Sequence, residues 1–229
     1  RDWSSDVCSS DLKHESECNV EMLRGLRLTP LPVAAPVLRL TDVERAGGER
    51  RWNGVALPRV VIHPGGVSAR HWRPAQYREL AQMLAQQGYA VGLTGSPVER
   101  EQFQREALDG AALHPGIINF MGQLAVRELM AVIATAQVVV SGATGPAHLA
   151  AALSVPTVSL FDPRRNNLPI RWKPLGRGVL LRPDVPTCEK CIGEACPYWD
   201  CLDRFTVEDV AARLGAVVRS AQPLTIHHI

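Results

Sequence analysis

A bias toward one sign of charge is the first thing this sequence lacks. Lys plus Arg is 25 and Asp plus Glu is 23 in 229 residues, a formal net charge of +2. That balance gives no footing for nucleic-acid binding or for adsorption to an acidic surface. Long apolar runs are missing too. None reaches the length of a membrane span, and the opening residues, RDWSSDVCSSDL, have no apolar core of a signal peptide. No internal repeat is present. The five tryptophans form no stripe, and no Gly-x-Gly-x-x-Gly fingerprint of a standard dinucleotide fold occurs.

What is present is ordinary globular material, 46% hydrophobic and 21% charged, in a chain long enough for a sizeable core. Residues 1–12 fit no periodic pattern and read as a non-native, adapter-derived segment. They are set aside, and they are expected to pack against nothing. Residues 13–57 read as the remnant of a preceding domain and a linker. Val20, Leu23 and Leu26 recur at helical spacing. Pro30, Pro32, Pro36 and Gly47–Gly48 then suggest a linker with one extended stretch at 37–40. Residues 58–220 form the main domain, and 221–229 a solvated tail carrying His227 and His228.

From Pro58 onward, short buried runs alternate with amphipathic stretches. RVVIH, YAVGLTG, IINF, QVVVSG, PTVSLF and GVLLR read as strands. The segments starting at Pro74, Pro97, Ala125, Gly145 and Thr206 read as helices, with Thr206 placed to cap the last. Such alternation specifies an α/β fold with a parallel sheet covered on both faces, so ligands are expected beyond the carboxyl ends of the strands.

Two of those ends are glycine-rich. HPGGVSARHWRP carries Gly65, Gly66, Arg70, His71 and Arg73. SGATGPAH carries Thr144, Gly145 and His148 at the start of a small-residue helix. Glycines let backbone approach a ligand, a helix start presents unpaired N–H groups, and Arg suits phosphate. Each loop read alone is either a tight turn that binds nothing or an anion site. Together they favour a diphosphate. Trp72 and Trp172 lie in loops of the same face, where packing near the ligand and plain core packing are both open.

The span from Pro58 to Val217 resembles the donor-binding domain of family 9 glycosyltransferases, the lipopolysaccharide heptosyltransferases. The resemblance is carried by VVIHPGG…ARHWRPAQYREL, LTGSPVERE, FMGQLAVRELMAVIATAQVVVSGATGPAHLAAALSVPTVSLFDP, RWKPLG and CLDRFTVEDVAARL. HESECNVEMLRGL also resembles the helix closing that family's N-terminal domain. It implies a GT-B fold, two Rossmann-like halves with the active site between them, of which this chain is mostly the C-terminal half. It implies inverting transfer of heptose or a related sugar from a nucleotide-diphosphate donor such as ADP-heptose. The acceptor would be lipopolysaccharide core or a similar glycan. The implied setting is cytoplasmic, at the inner face of the inner membrane, by peripheral association.

Matched position by position, Thr144 and Gly145 donate to phosphate, with Gly65 and Gly66 in the facing loop and His148 nearby. Arg70 stands for a cation facing the diphosphate leaving group, Glu99 for an acidic residue at the ribose, and Gly122 and Leu124 for the border of the adenine. The sequence departs from the family at Ala143, where Asp is common, and at Asp162–Arg164. The family's general base lies in an N-terminal region with no counterpart here, so no residue of this chain takes that role and the chain alone is expected to be inactive. Two rival readings are a GT-B nucleotide-sugar epimerase relative and a non-catalytic nucleotide-binding module.

No cofactor is required for such chemistry. Cys188, Cys191, Cys196 and Cys201, spaced C-x2-C-x4-C-x4-C, would permit a structural zinc or remain reduced thiols packed in a loop. Cys18 is read as a buried hydrophobe.

Overall fold

The computed structural model describes residues 13–55, 58–66, 71–219 and 224–228. Residues 1–12 lie outside that set, so the expectation that they pack against nothing is not addressed.

Seven parallel strands form one sheet in the order β3-β2-β1-β4-β5-β6-β7. They are β1 (Arg59–His63), β2 (Ala90–Leu93), β3 (Ile117–Asn119), β4 (Val138–Gly142), β5 (Thr157–Leu160), β6 (Gly178–Arg182) and β7 (Thr225–His228). β1, β2, β4, β5 and β6 are buried, mostly apolar runs, as a doubly covered parallel sheet requires, and the short edge strand β3 is half-buried. Alternation along β1 sends Val60 and Ile62 into one core cluster and Val61 into the other.

On the Val60 face lie α3 (Pro74–Gln86), α4 (Pro97–Phe103) and α8 (Val207–Arg219), contributing Tyr77, Leu80, Phe103, Val210 and Leu214. The Val61 face is covered by α5 (Val126–Ala134) and α6 (Gly145–Ala152), through Val132, Ile133 and Ala150. The expected cap of α8 is in place, with Asp209 N–H donating to Thr206 Oγ1 at 3.1 Å.

Two departures from the sequence expectations concern the ends. The stretch read as a linker contains a helix, α2 (Asp42–Arg51), while residues 37–40 form no strand. Thr41 and Glu44 make its capping box. It packs so closely on α5 that a Cβ on Gly48 would sit 2.3 Å from the Ala131 carbonyl oxygen. Trp52 follows, fully buried, its indole N–H donating to Thr135 Oγ1. At the other end, His227 and His228 belong to β7, which pairs with β6 at the sheet edge and stays largely exposed. They are not part of a loose tail, because β6 offers that segment a free row of backbone partners.

The helix expected near the start is α1 (Glu15–Glu21), continued by a 3-10 turn at Met22–Leu26. Cys18 is buried there, as expected. The short helix α7 (Pro169–Trp172) lies in the loop between β5 and β6. Two ties hold α1 to that loop: Glu15 pairs with Arg171 at 2.7 Å, and His14 Nε2 lies 3.0 Å from the Lys173 carbonyl oxygen. Among the described residues no helix is long and apolar enough to cross a membrane.

Candidate functional site

The strand order reverses between β1 and β4. A chain leaving β1 turns toward β2, and one leaving β4 turns toward β5, which opens a crevice beyond their carboxyl ends. In register, His63 of β1 stands beside Ser141 of β4. The two glycine-rich loops therefore leave the sheet side by side.

They touch at Gly66. Its φ is +153°, and a Cβ there would lie 2.8 Å from Thr144 Cγ2 and 3.1 Å from His71 Cε1. Only a residue without a side chain lets the loops come this close. Thr144 stands at the N-cap of α6 with extended backbone and makes no side-chain cap. Its hydroxyl has one long contact, 3.5 Å to the Gly142 carbonyl oxygen. Gly145 is exposed, and a Cβ on it would meet nothing within 4 Å. The start of α6 thus offers uncapped N–H groups to the crevice, with the positive end of its dipole.

Glu99 closes the floor on the β2 side. Its carboxylate accepts the Ser96 N–H at 2.6 Å and the Gly66 N–H, and a Cβ on Gly65 would collide with it at 2.0 Å. Burial pushes this carboxyl up. The hydrogen bonds from Ser96, the nearby His63 and the Gly66 N–H outweigh that and leave it below its ordinary value of 4.5. His63, 7% exposed, lies beneath, with Nδ1 3.1 Å from Thr94 Oγ1 and Nε2 3.9 Å from Glu99 Oε1. Burial lowers its imidazole below 6.5, against the pull of Glu99.

Of the residues singled out from the sequence, Gly65, Gly66, Glu99 and Thr144 come together here, with Gly145 heading the adjoining helix. His148 sits further along α6, half-buried. Burial, then the charge of His14, lowers its imidazole. Gly122, at φ +72°, is stitched to the neighbouring loop by its N–H to the Gly95 carbonyl at 2.8 Å. Leu124 packs at the margin of the second core cluster. Arg70 lies outside the described residues. Arg73 stands at the N-cap position of α3 without a side-chain cap, and its Nε donates to Asp203 Oδ1 at 2.7 Å. Trp72 resolves as core packing, 1% exposed, with its N–H on the Phe205 carbonyl and its ring edge-on to Tyr77. His63 went unnoticed in the sequence. Its signal was a polar residue closing a buried strand, after the apolar run 60–62 and just before Pro-Gly-Gly.

The cysteine segment lies at the end of β5. Cys188 pairs its backbone with Pro163 and Arg165, beside the buried Asp162–Arg164 ion pair. Cys188, Cys191, Cys196 and Cys201 line one small hollow with Tyr198 and Trp199. Burial, then Asp162, Cys196 and Cys191, push the Cys188 thiol up, with Arg164 opposing. Yet among the described residues no group of three or more His, Cys, Asp or Glu side chains is placed to hold a metal ion. Cys201 belongs to the main core with Leu202 and Phe205, while the other three are only half-buried. A larger hollow, about 550 Å³, lies against β3 between α2 and α5. Four of its five charged lining residues pair off, Arg127 with Glu44 and Arg51 with Glu128, and Arg50 is the fifth.

Comparison with known proteins shows the family and the fold. The family model described as glycosyltransferase family 9 (heptosyltransferase) matches residues 15–198. Lipopolysaccharide heptosyltransferase 1 of Pseudomonas aeruginosa is 32% identical over 185 residues, which cover 72% of this chain and 49% of that protein. The chain thus spans about half the length of that relative. Among solved structures, a family 9 glycosyltransferase from Veillonella parvula superposes with a TM-score of 0.71 at 16% identity, covering 90% of this chain and 60% of that one. The Escherichia coli ADP-heptose heptosyltransferase II superposes at 0.62 with 24% identity, covering 83% and 55%. These likenesses bear out the Rossmann-like parallel sheet of GT-B type.

Proposed function

Because this chain belongs to glycosyltransferase family 9, we propose that it binds the nucleotide-diphosphate sugar of a heptosyl transfer, with ADP-heptose as the donor. The observation that carries the reading is the meeting of the two glycine-rich loops at Gly66 and Thr144, where the strand order reverses. The diphosphate would lie across the N-terminus of α6. Thr144 and Gly145 would donate to its oxygens, with Gly65 and Gly66 opposite and Arg70 as the facing cation. Glu99 would take the ribose hydroxyls, and the loop of Gly122 and Leu124 would border the adenine.

In the transfer, an acceptor hydroxyl attacks the anomeric carbon, the glycosidic bond to the β-phosphate breaks, and the nucleoside diphosphate leaves. Negative charge grows on the leaving phosphate. The uncapped amides of α6 would oppose it without having to reorganise, and Arg70 would add a positive charge. No residue of this chain is assigned as the base that takes the hydroxyl proton, so binding without turnover is the expected behaviour of these 229 residues. The acceptor would be a lipopolysaccharide core or a related glycan, met at the cytoplasmic face of the inner membrane.

Calorimetric titration of the chain with ADP, UDP and GDP tests the donor assignment. ADP should bind best. A folded sample that binds none of the three removes the diphosphate site. Heptose transfer at rates typical of intact enzymes would instead remove the expectation of inactivity. Sugar release with no acceptor present would favour the epimerase relative.

A further inference from the structure

His63 is buried at the centre of this site without a task in the binding scheme above. The geometry gives it one. His63 lies 3.9 Å under Glu99, and Glu99 holds Gly66 by its N–H and presses on Gly65. A line of contact runs from the end of β1 through one carboxylate to the loop that would meet the diphosphate. We propose that His63 is a positioning residue that takes up a proton when a nucleotide diphosphate binds, becoming the buried counter-charge that keeps Glu99 in place beside the anion.

This rests on the donor-site reading. The physical need comes from charge. A diphosphate brought against Gly65 and Gly66 sits next to an ionised carboxylate, and the two repel in a partly desolvated crevice. Protonating Glu99 would weaken its hold on the Ser96 and Gly66 N–H groups, and moving it would release the helix cap it forms. Charging the imidazole beneath it costs neither. In the free protein, burial outweighs Glu99 and holds the His63 imidazole below its ordinary value of 6.5. A second negative group nearby shifts that balance toward the imidazolium. Among the described residues Glu99 is the charged group that acts on His63. Its other polar neighbours are Thr94, from the loop after β2, and Ser141, its register partner on β4, and both are uncharged.

The sign follows from linkage. If the complex holds more protons than the free protein, affinity rises as pH falls, by up to about tenfold per pH unit inside the window between the two imidazole values. ADP-glucose is the suitable probe, because its esterified diphosphate has no group titrating near neutrality. Calorimetry from pH 8 to 6 in buffers of different ionisation enthalpy counts the protons taken up. The wild-type chain should take up part of one proton per ligand, and affinity should rise toward pH 6. His63→Gln should bind with no uptake and a flat profile. His148→Gln and His71→Gln should each keep the uptake, since His148 and His71, which lines the hollow of Gly66 and Glu99, are the rival proton acceptors. Uptake that persists in His63→Gln, or is missing in a wild-type chain that binds ADP-glucose, overturns the proposal. Loss of all binding by the wild type overturns the donor site instead. Should His63→Gln fail to fold, imidazole chemical shifts of labelled wild type with and without ADP-glucose decide: a His63 ring that stays neutral in the complex at pH 6 ends the idea.

Discussion

At Gly66 a single missing Cβ decides whether two loops can meet, and most of the site's chemistry depends on choices of that size. Its neighbour Gly65 makes room for the Glu99 carboxylate in the same way. The glycines were visible in the sequence, and so was their position after strands. That Glu99 would be committed to Gly66 and Ser96 was not, because no local pattern reports a contact across loops some thirty residues apart. The two arginines of the first loop separate cleanly. Arg73 is an exposed cation paired with Asp203, a contact worth about 0–1 kcal/mol to stability. Arg70 stands where the family resemblance puts a phosphate-facing cation. Arg70→Ala is therefore expected to weaken ADP binding by roughly ten- to a hundredfold, the loss of a charge-assisted hydrogen bond of about 1.5–3 kcal/mol. Arg73→Ala should change it by less than about twofold. Titration of both variants at one fixed, low salt concentration reads the difference, since screening blurs it at high ionic strength. A larger loss at Arg73 would put the phosphate on the other side of this loop.

Among the elements between residues 59 and 219, the six strands and the helices α3, α4, α5, α6 and α8 were legible from short apolar or periodic runs closed by turn signals, while the one-turn helix α7 was not. The element that escaped was α2. Its sequence, DVERAGGERR, has almost no apolar stripe, since Gly48 and the following Trp52 do its packing. The one local signal was the capping box, Thr41 with Glu44, and two glycines argued against reading it as a helix start. β7 escaped for a related reason: its residues are exposed, and only β6 beside it makes a strand of them. The glycine pair yields a paired prediction. Gly47 is helical, and a Cβ there would meet only the movable Arg50 guanidinium, at 3.7 Å. Gly47→Ala should stabilise the chain by about 0.5–1 kcal/mol through helix propensity. Gly48→Ala drives a Cβ to 2.3 Å from the Ala131 carbonyl oxygen, a backbone atom that cannot swing aside. It should destabilise by about 1–3 kcal/mol by prising α2 from α5. Urea unfolding of the two variants gives the comparison. Equal effects of the two would mean that the α2–α5 contact is looser than its geometry implies.

Taken whole, the molecule carries two histidines at its functional end whose imidazoles the fold holds below 6.5, and they shape how it should respond to acid. His63 and His148 are both held below 6.5, chiefly by burial, with His14 adding to the effect at His148 and Glu99 working against it at His63. The native state therefore binds fewer protons than the unfolded chain once pH drops under about 6.5, so unfolding is favoured as pH falls through that range. His63 alone contributes a slope of up to about 1.4 kcal/mol per pH unit until its own folded value is passed. The carboxylates form a separate, lower arm. Glu44, held down to about 2 by the Thr41 backbone N–H, Arg127 and the Thr41 hydroxyl, is joined by Glu99 and Glu128, also below 4.5. Depressed acids give stability that is full above their unfolded value and is lost as pH falls toward the folded one, so this arm begins only below about pH 4.5. Between roughly pH 5 and 6.5 the histidines act alone. The urea midpoint should fall steadily there, and His63→Gln should flatten part of the slope. ADP-glucose should restore stability more at pH 6 than at pH 8, because a ligand that binds only the native state stabilises it in proportion to the logarithm of its affinity. A midpoint that does not move between pH 7.5 and 5.5 would mean that neither imidazole is held neutral by the fold.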